Sequence, residues 1–96
     1  MDIATAAKLQ NALTFQTLLE QHRKSAGLSY HQLAERSEVD SAYLLALENG
    51  KKNNPSRDIV IRIGIGLGLD VPSLDEFVSS AGHLPLLRRP NKKPAG

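Results

Sequence analysis

Cysteine and tryptophan are absent from this 96-residue chain, and phenylalanine and tyrosine contribute only two residues each. Without cysteine there is neither a disulfide framework nor a thiolate metal site, which fits a reducing compartment. No apolar run approaches the roughly 20 residues that a membrane helix needs. The opening "MDIATAAKLQ" lacks the basic-then-apolar layout of a secretory signal. A cytoplasmic protein without membrane contact is the expectation. His22, His31 and His83 fall in separate segments, with no metal-ligand spacing and no evident nucleophile partner. A non-enzyme with no metal and no cofactor is therefore expected. A chain of this length makes one small domain with tails, leaving no room for a deep substrate cavity between lobes.

Charge is present but unevenly placed. All ten carboxylates and eight of the twelve bases lie within residues 1–81, which leaves that part at −2. Arg88, Arg89, Lys92 and Lys93 follow with no acid among them, so the positive balance of +2 belongs to the tail. A body at −2 is a weak electrostatic footprint for a nucleic-acid binder. The ending "RRPNKKPAG" is Pro-rich, basic and without an apolar face, which predicts disorder. Such a tail serves either as an arm on phosphate or minor groove, or as a solubilising end or linker.

The rest of the chain has helical periodicity. "QNALTFQTLLEQHRKSA", residues 10–26, sets Leu13, Phe15, Leu18 and Leu19 near helical spacing, and Gly27 supplies a stop. Ser29 with Gln32 forms a capping box ahead of "YHQLAERS", whose inward residues are Leu33 and Ala34. Asp40 caps a third helix, "SAYLLALEN", closed by Gly50. "KKNNP" is a polar loop, and Pro72-Ser73 or Ser73 itself opens a fifth helix ending at Gly82. Residues 1–9 form an N-terminal arm or a helical extension, 10–82 the domain, and 83–96 a C-terminal segment.

"DIVIRIGIGLGLD", residues 58–70, alternates like a strand and repeats glycine like a phosphate loop. The glycine spacing is not G-x-G-x-x-G and no βαβ unit surrounds it, which excludes the loop. A lone strand among helices would leave its backbone groups unpaired. At helical period Val60, Ile63, Gly64 and Leu67 make one stripe, so the spacing predicts a fourth helix over about 57–67 with Ser56 as cap. Gly64 lets another helix approach, whereas nothing in the sequence accounts for Gly66. Ile61 and Ile65 fall off the stripe as a second apolar face. The expected fold is all-α, a five-helix orthogonal bundle.

Two short helices separated by a three- or four-residue break describe a helix-turn-helix unit. Gly27, Leu28, Ser29, Leu33, Ala34, Val39, Leu47, Glu48, Gly50, Pro55 and Ser56 together resemble the phage-repressor and Cro-like, or XRE-type, helix-turn-helix domains, a lambda-repressor-like fold. That resemblance covers roughly residues 12–80. It implies an ion pair between Arg23 and Glu48 that clamps helix one to helix three. It further implies double-stranded DNA as partner, a role in transcription regulation, and a recognition helix at about 41–49 in the major groove. Base-reading positions would be Ser41, Ala42, Leu45 and Ala46. Phosphates would be met by Ser29, Tyr30 and His31 on one side and by Asn49, Lys51, Lys52 and Asn53 on the other.

Here the chain departs from the family. Ala and Leu can touch only a thymine methyl, position 30 is Tyr where Gln is usual, and Glu38 stands where Gly is frequent. A helix-turn-helix repurposed for protein contact is the alternative, because "AYLLALE" offers apolar side chains where polar readers are expected. Such domains commonly pair as homodimers. Phe77, Val78, Leu84, Leu86 and Leu87, together with Ile61 and Ile65, are the candidate contacts for a second copy or a protein partner on helices four and five.

Overall fold

The computed structural model describes the backbone of residues 3–84 and the side chains of residues 14–84. Leu13, Leu86, Leu87 and the basic residues 88–93 lie outside the described side chains. Five helices follow in order, α1 Ile3–Ser25, α2 Tyr30–Ser37, α3 Ser41–Glu48, α4 Arg57–Gly66 and α5 Val71–Ser80. Among the described residues there is no strand.

Most helix ends obey the side-chain chemistry of the sequence. Ser29 accepts from the Gln32 amide while Gln32 accepts from the Ser29 amide, so both halves of the capping box form. Asp40 accepts from the amides of Ala42 and Tyr43, and Ser56 from that of Ile59. α1 begins at Ile3, so of the two forms expected for the N-terminal residues the described ones take the helical extension, since "IATAAKLQ" contains no helix breaker and several strong helix formers. One boundary differs from expectation. α5 is capped by Asp70, not by Ser73, whose amide donates to the Asp70 carboxylate. Pro72 then occupies the first turn, where its missing N–H is not needed.

Packing closes the helices into a ring: α1 lies on α3 and α5, α2 on α3 and α4, and α4 on α5. Phe15, Leu19, Leu33, Val39, Leu44, Leu47, Val60, Ile63, Leu67, Leu74, Phe77 and Val78 form one buried core. Phe15 and Phe77 meet at 5.0 Å between ring centroids, joining α1 to α5. Phe77 and Val78 are fully buried, which corrects their assignment to an interface. Phe77 packs on Phe15 of α1 and lies near Gly64 of α4, Val78 belongs to the same core, and no surface of theirs remains for a second copy.

The contested segment is helical, and its stripe of Val60, Ile63, Gly64 and Leu67 points inward. A Cβ on Gly64 would run into Leu74 Cδ1 of α5. Gly66, unexplained by sequence alone, lies against α2: a Cβ there would come within 3.0 Å of the Ser37 backbone nitrogen. Gly66 thus lets α4 touch the end of α2, where Ser37 turns its hydroxyl onto Leu33 O. Glu38 ends α2 in the left-handed region, φ 58°, with its amide donating to Ala34 O. A side chain there is strained, and glycine would not be.

Two substitutions should shift stability in opposite directions. Gly64→Ala gains about 1 kcal/mol of helix propensity but overpacks the buried Leu74 by about 1–3 kcal/mol, so a net loss is expected. Glu38→Gly should raise stability by up to about 1 kcal/mol by removing the left-handed strain. Urea titrations of both variants check the pair; a stabilised Gly64→Ala would contradict the close α4–α5 contact.

Candidate nucleic-acid interface

The α2–α3 unit is held by polar contacts at one end and apolar contacts at the other. Val39, Leu44 and Leu47 fill the seam between the two helices and the core. At the far end Arg23 of α1 reaches Glu48 of α3, with Nε donating at 2.6 Å to Oε2 and Nη2 at 3.3 Å to Oε1. Both side chains are largely buried, at 13% and 8% exposed. A third member went unread in the sequence. Tyr30, first residue of α2, donates its hydroxyl to Glu48 Oε1 at 2.8 Å, and its ring lies 4.2 Å under the Arg23 guanidinium. Arg23 Nη1 also donates to Leu28 O. One guanidinium therefore fastens α1 to α3, to the α1–α2 turn and to the start of α2. No periodicity flags Tyr30, because its partner is 18 residues away on another helix.

Electrostatics follow from this arrangement. Glu48 raises the Arg23 pKa, chiefly through their hydrogen bond, so the cation persists. The Tyr30 phenol is pushed up first by burial and then by its hydrogen bond to the Glu48 carboxylate. With its one proton given to Glu48, the Tyr30 hydroxyl is no donor for a phosphate, whereas the backbone amides of Tyr30 and His31 at the start of α2 have no partner within the helix.

The remaining candidates divide by position. Ala42 and Leu45 are exposed on α3, and Ser41 and Ala46 are half-buried beside them. Ser29 and His31 are exposed at the start of α2, and Asn49, Lys51, Lys52 and Asn53 are exposed after α3. Asn49 shapes that loop by accepting from the Lys51 amide, and the Lys52 amide donates to Ala46 O. The outer face of α3 is thus flanked by amides on one side and by two ammonium groups on the other. An open hollow of about 530 Å³ beside the α2–α3 turn carries Glu35, Glu38 and Asp40. Among the described residues no group of His, Cys, Asp or Glu could hold a metal, and no helix is long and apolar enough to cross a membrane.

The helix-turn-helix domain family matches residues 16–77. The chain belongs to the helix-turn-helix family. The C-terminal part of α1 through most of α5 is covered, so the clamp, the α2–α3 turn and the loop after α3 all belong to the matched domain. An uncharacterized HTH-type transcriptional regulator of Methanothermobacter thermautotrophicus is 41% identical over 64 residues, spanning 62% of this chain and 91% of that protein. No solved structure matches the chain.

Alkaline pH tests the clamp of this helix-turn-helix domain. The folded chain holds the Tyr30 proton more tightly than the unfolded chain, so the contribution is full below pH about 10 and is lost as pH rises through the folded value. Tyr30→Phe removes that titration, and its stability should fall less steeply between pH 9 and 11. Equal slopes in the two proteins would contradict a proton held by Tyr30 against Glu48.

Proposed function

We propose that this chain is a double-stranded DNA-binding transcription regulator of the phage-repressor and Cro-like subtype, without enzymatic activity or cofactor. The observation that carries the proposal is the exposed face of α3 between two phosphate-compatible edges. In this scheme α3 enters the major groove with Ser41, Ala42, Leu45 and Ala46 toward the bases. Ser29, His31 and the amide of Tyr30 meet one phosphate strand; Asn49, Lys51, Lys52 and Asn53 meet the other. A DNA partner implies work in the cytoplasm. The basic residues Arg88, Arg89, Lys92 and Lys93 offset a body whose net charge is −2.

A second reading keeps the fold and changes the partner. Leu45 is 45% exposed on α3, and the carboxylates of Glu35, Glu38 and Asp40 beside the turn repel phosphate. Both features suit a protein surface. A homodimer is proposed separately: Ile65 at 62% and Leu84 at 59% are exposed, while Ile61 is half-covered by the core. The chain after α5 is held at the start of α4, with Arg57 Nε donating to Leu84 O and His83 Nε2 lying 2.8 Å from Pro55 O.

Salt dependence separates the two partners. Each neutralised phosphate contributes about −0.9 to the slope of log K against log salt. Lys51→Ala with Lys52→Ala should flatten the slope by about 2 on a random-sequence duplex, and removing residues 88–96 by up to about 4. Failure of the full chain to bind random duplex at low salt would contradict DNA binding and favour protein contact. For the dimer, Ile65→Glu should leave the fold intact and shift sedimentation toward monomer at tens of micromolar; a wild-type chain that is already monomeric there contradicts the pairing.

A further inference from the structure

The side chains of α3 divide sharply by chemistry. Leu44 and Leu47 are buried, Tyr43 packs on the core, and Glu48 is held by Arg23 and Tyr30. Four side chains are left toward the outside, and Ser41 is the one among them that carries a hydrogen-bonding group. The backbone offers little more. The amides of Ala42 and Tyr43 at the start of α3 already donate to the Asp40 carboxylate at 2.9 and 3.2 Å. What this face presents to a base pair is two methyl groups, one isobutyl group and one hydroxyl.

In the major groove, thymine carries the one apolar group on any base edge, its C5 methyl. Cytosine offers an amino donor there, and guanine two acceptors. Covering those with Ala42 and Leu45 would strip them of water with nothing in return, which disfavours G·C pairs. An A·T pair gives Leu45 a methyl to cover, and its adenine N7 and N6 can be met by a hydroxyl such as that of Ser41. We propose that α3 selects A·T pairs by contact of Leu45 and Ala42 with thymine C5 methyl groups. The inference rests on the DNA-binding reading above and deepens it. Lys51 and Lys52 on the flank supply the affinity for phosphate, and the methyl contacts supply the choice of sequence.

Deoxyuridine provides the test, because it pairs as thymine does and lacks only the methyl. The full chain is titrated at fixed salt with three duplexes: mixed random sequence, an A·T-rich pool, and the same pool with deoxyuridine for thymine. Roughly threefold to fivefold weaker binding per contacted thymine is expected on the deoxyuridine pool. Putting 5-methylcytosine for cytosine into a G·C-rich pool should restore part of that affinity. Leu45→Ala should narrow the ratio of thymine-pool to deoxyuridine-pool affinity toward one, and a ratio as large as that of wild type would overturn the contact of Leu45 with the methyl group. Minor-groove edges are unchanged by the exchange, so a contribution of Arg88, Arg89, Lys92 or Lys93 there cannot imitate the effect. Binding of random duplex with no difference between thymine and deoxyuridine pools would overturn methyl recognition and leave DNA binding standing. No binding to any of the three duplexes would overturn both.

Discussion

Three helices converge on one buried carboxylate. Glu48 accepts from the Arg23 guanidinium and from the Tyr30 hydroxyl, and its burial makes both partners necessary. An unpaired charge at 8% exposure would cost several kcal/mol, whereas the intact cluster roughly offsets its own desolvation. Its effect is directional. Leucine contacts among α1, α2 and α3 tolerate small rotations, but a two-donor hydrogen-bonded pair with a stacked tyrosine does not. The orientation of α3 relative to α1, and so of its outer face, depends on this cluster.

The opposite side of the α2–α3 unit is set by close backbone approach. Gly66 brings α4 against Ser37 at the end of α2, and Gly64 admits Leu74 from α5. Just beyond Ser37, Glu38 takes a left-handed conformation that turns the chain toward α3. Arg62 lies 3.9 Å from Glu38 and 3.0 Å from Asp58, an exposed set that adds little. Clamp and glycines therefore act at the two ends of one unit, and the core leucines fill the space between.

Local chemistry made much of this legible in the sequence. The capping box at Ser29, the cap at Asp40, the stripe through Val60, Ile63, Gly64 and Leu67, and the stops at Gly27, Gly50 and Gly82 are all short-range features, and each appears in the structure. The Arg23–Glu48 pair was accessible only through resemblance to a family. Long-range partnerships escaped: Tyr30 with Glu48, Gly66 with Ser37, and His83 with Pro55 join residues that no period connects. Phe77 and Val78 looked surplus because the count of core positions on α1 and α4 cannot be made before the helices are packed. The exposure of Ala42, Leu45, Lys51 and Lys52 follows from their places on and after α3, whereas the commitment of the Tyr30 hydroxyl to Glu48 does not.

The arrangement yields a domain that holds α3 firmly and leaves on its outer face almost no polar side chain. In the proposed mode of binding the flanks meet phosphate, and the centre of the face is methyl and isobutyl. Such a division assigns affinity and choice to different residues, and both depend on α3 being held at a fixed angle. The most direct measurement is duplex affinity of the double variant Arg23→Met, Glu48→Leu, compared with wild type at equal folded fraction. Replacing the pair with apolar side chains should leave stability near wild type, while affinity for random duplex falls at least tenfold as α3 loses its fixed orientation. Undiminished affinity in the folded double variant would contradict the claim that the clamp orients the recognition face.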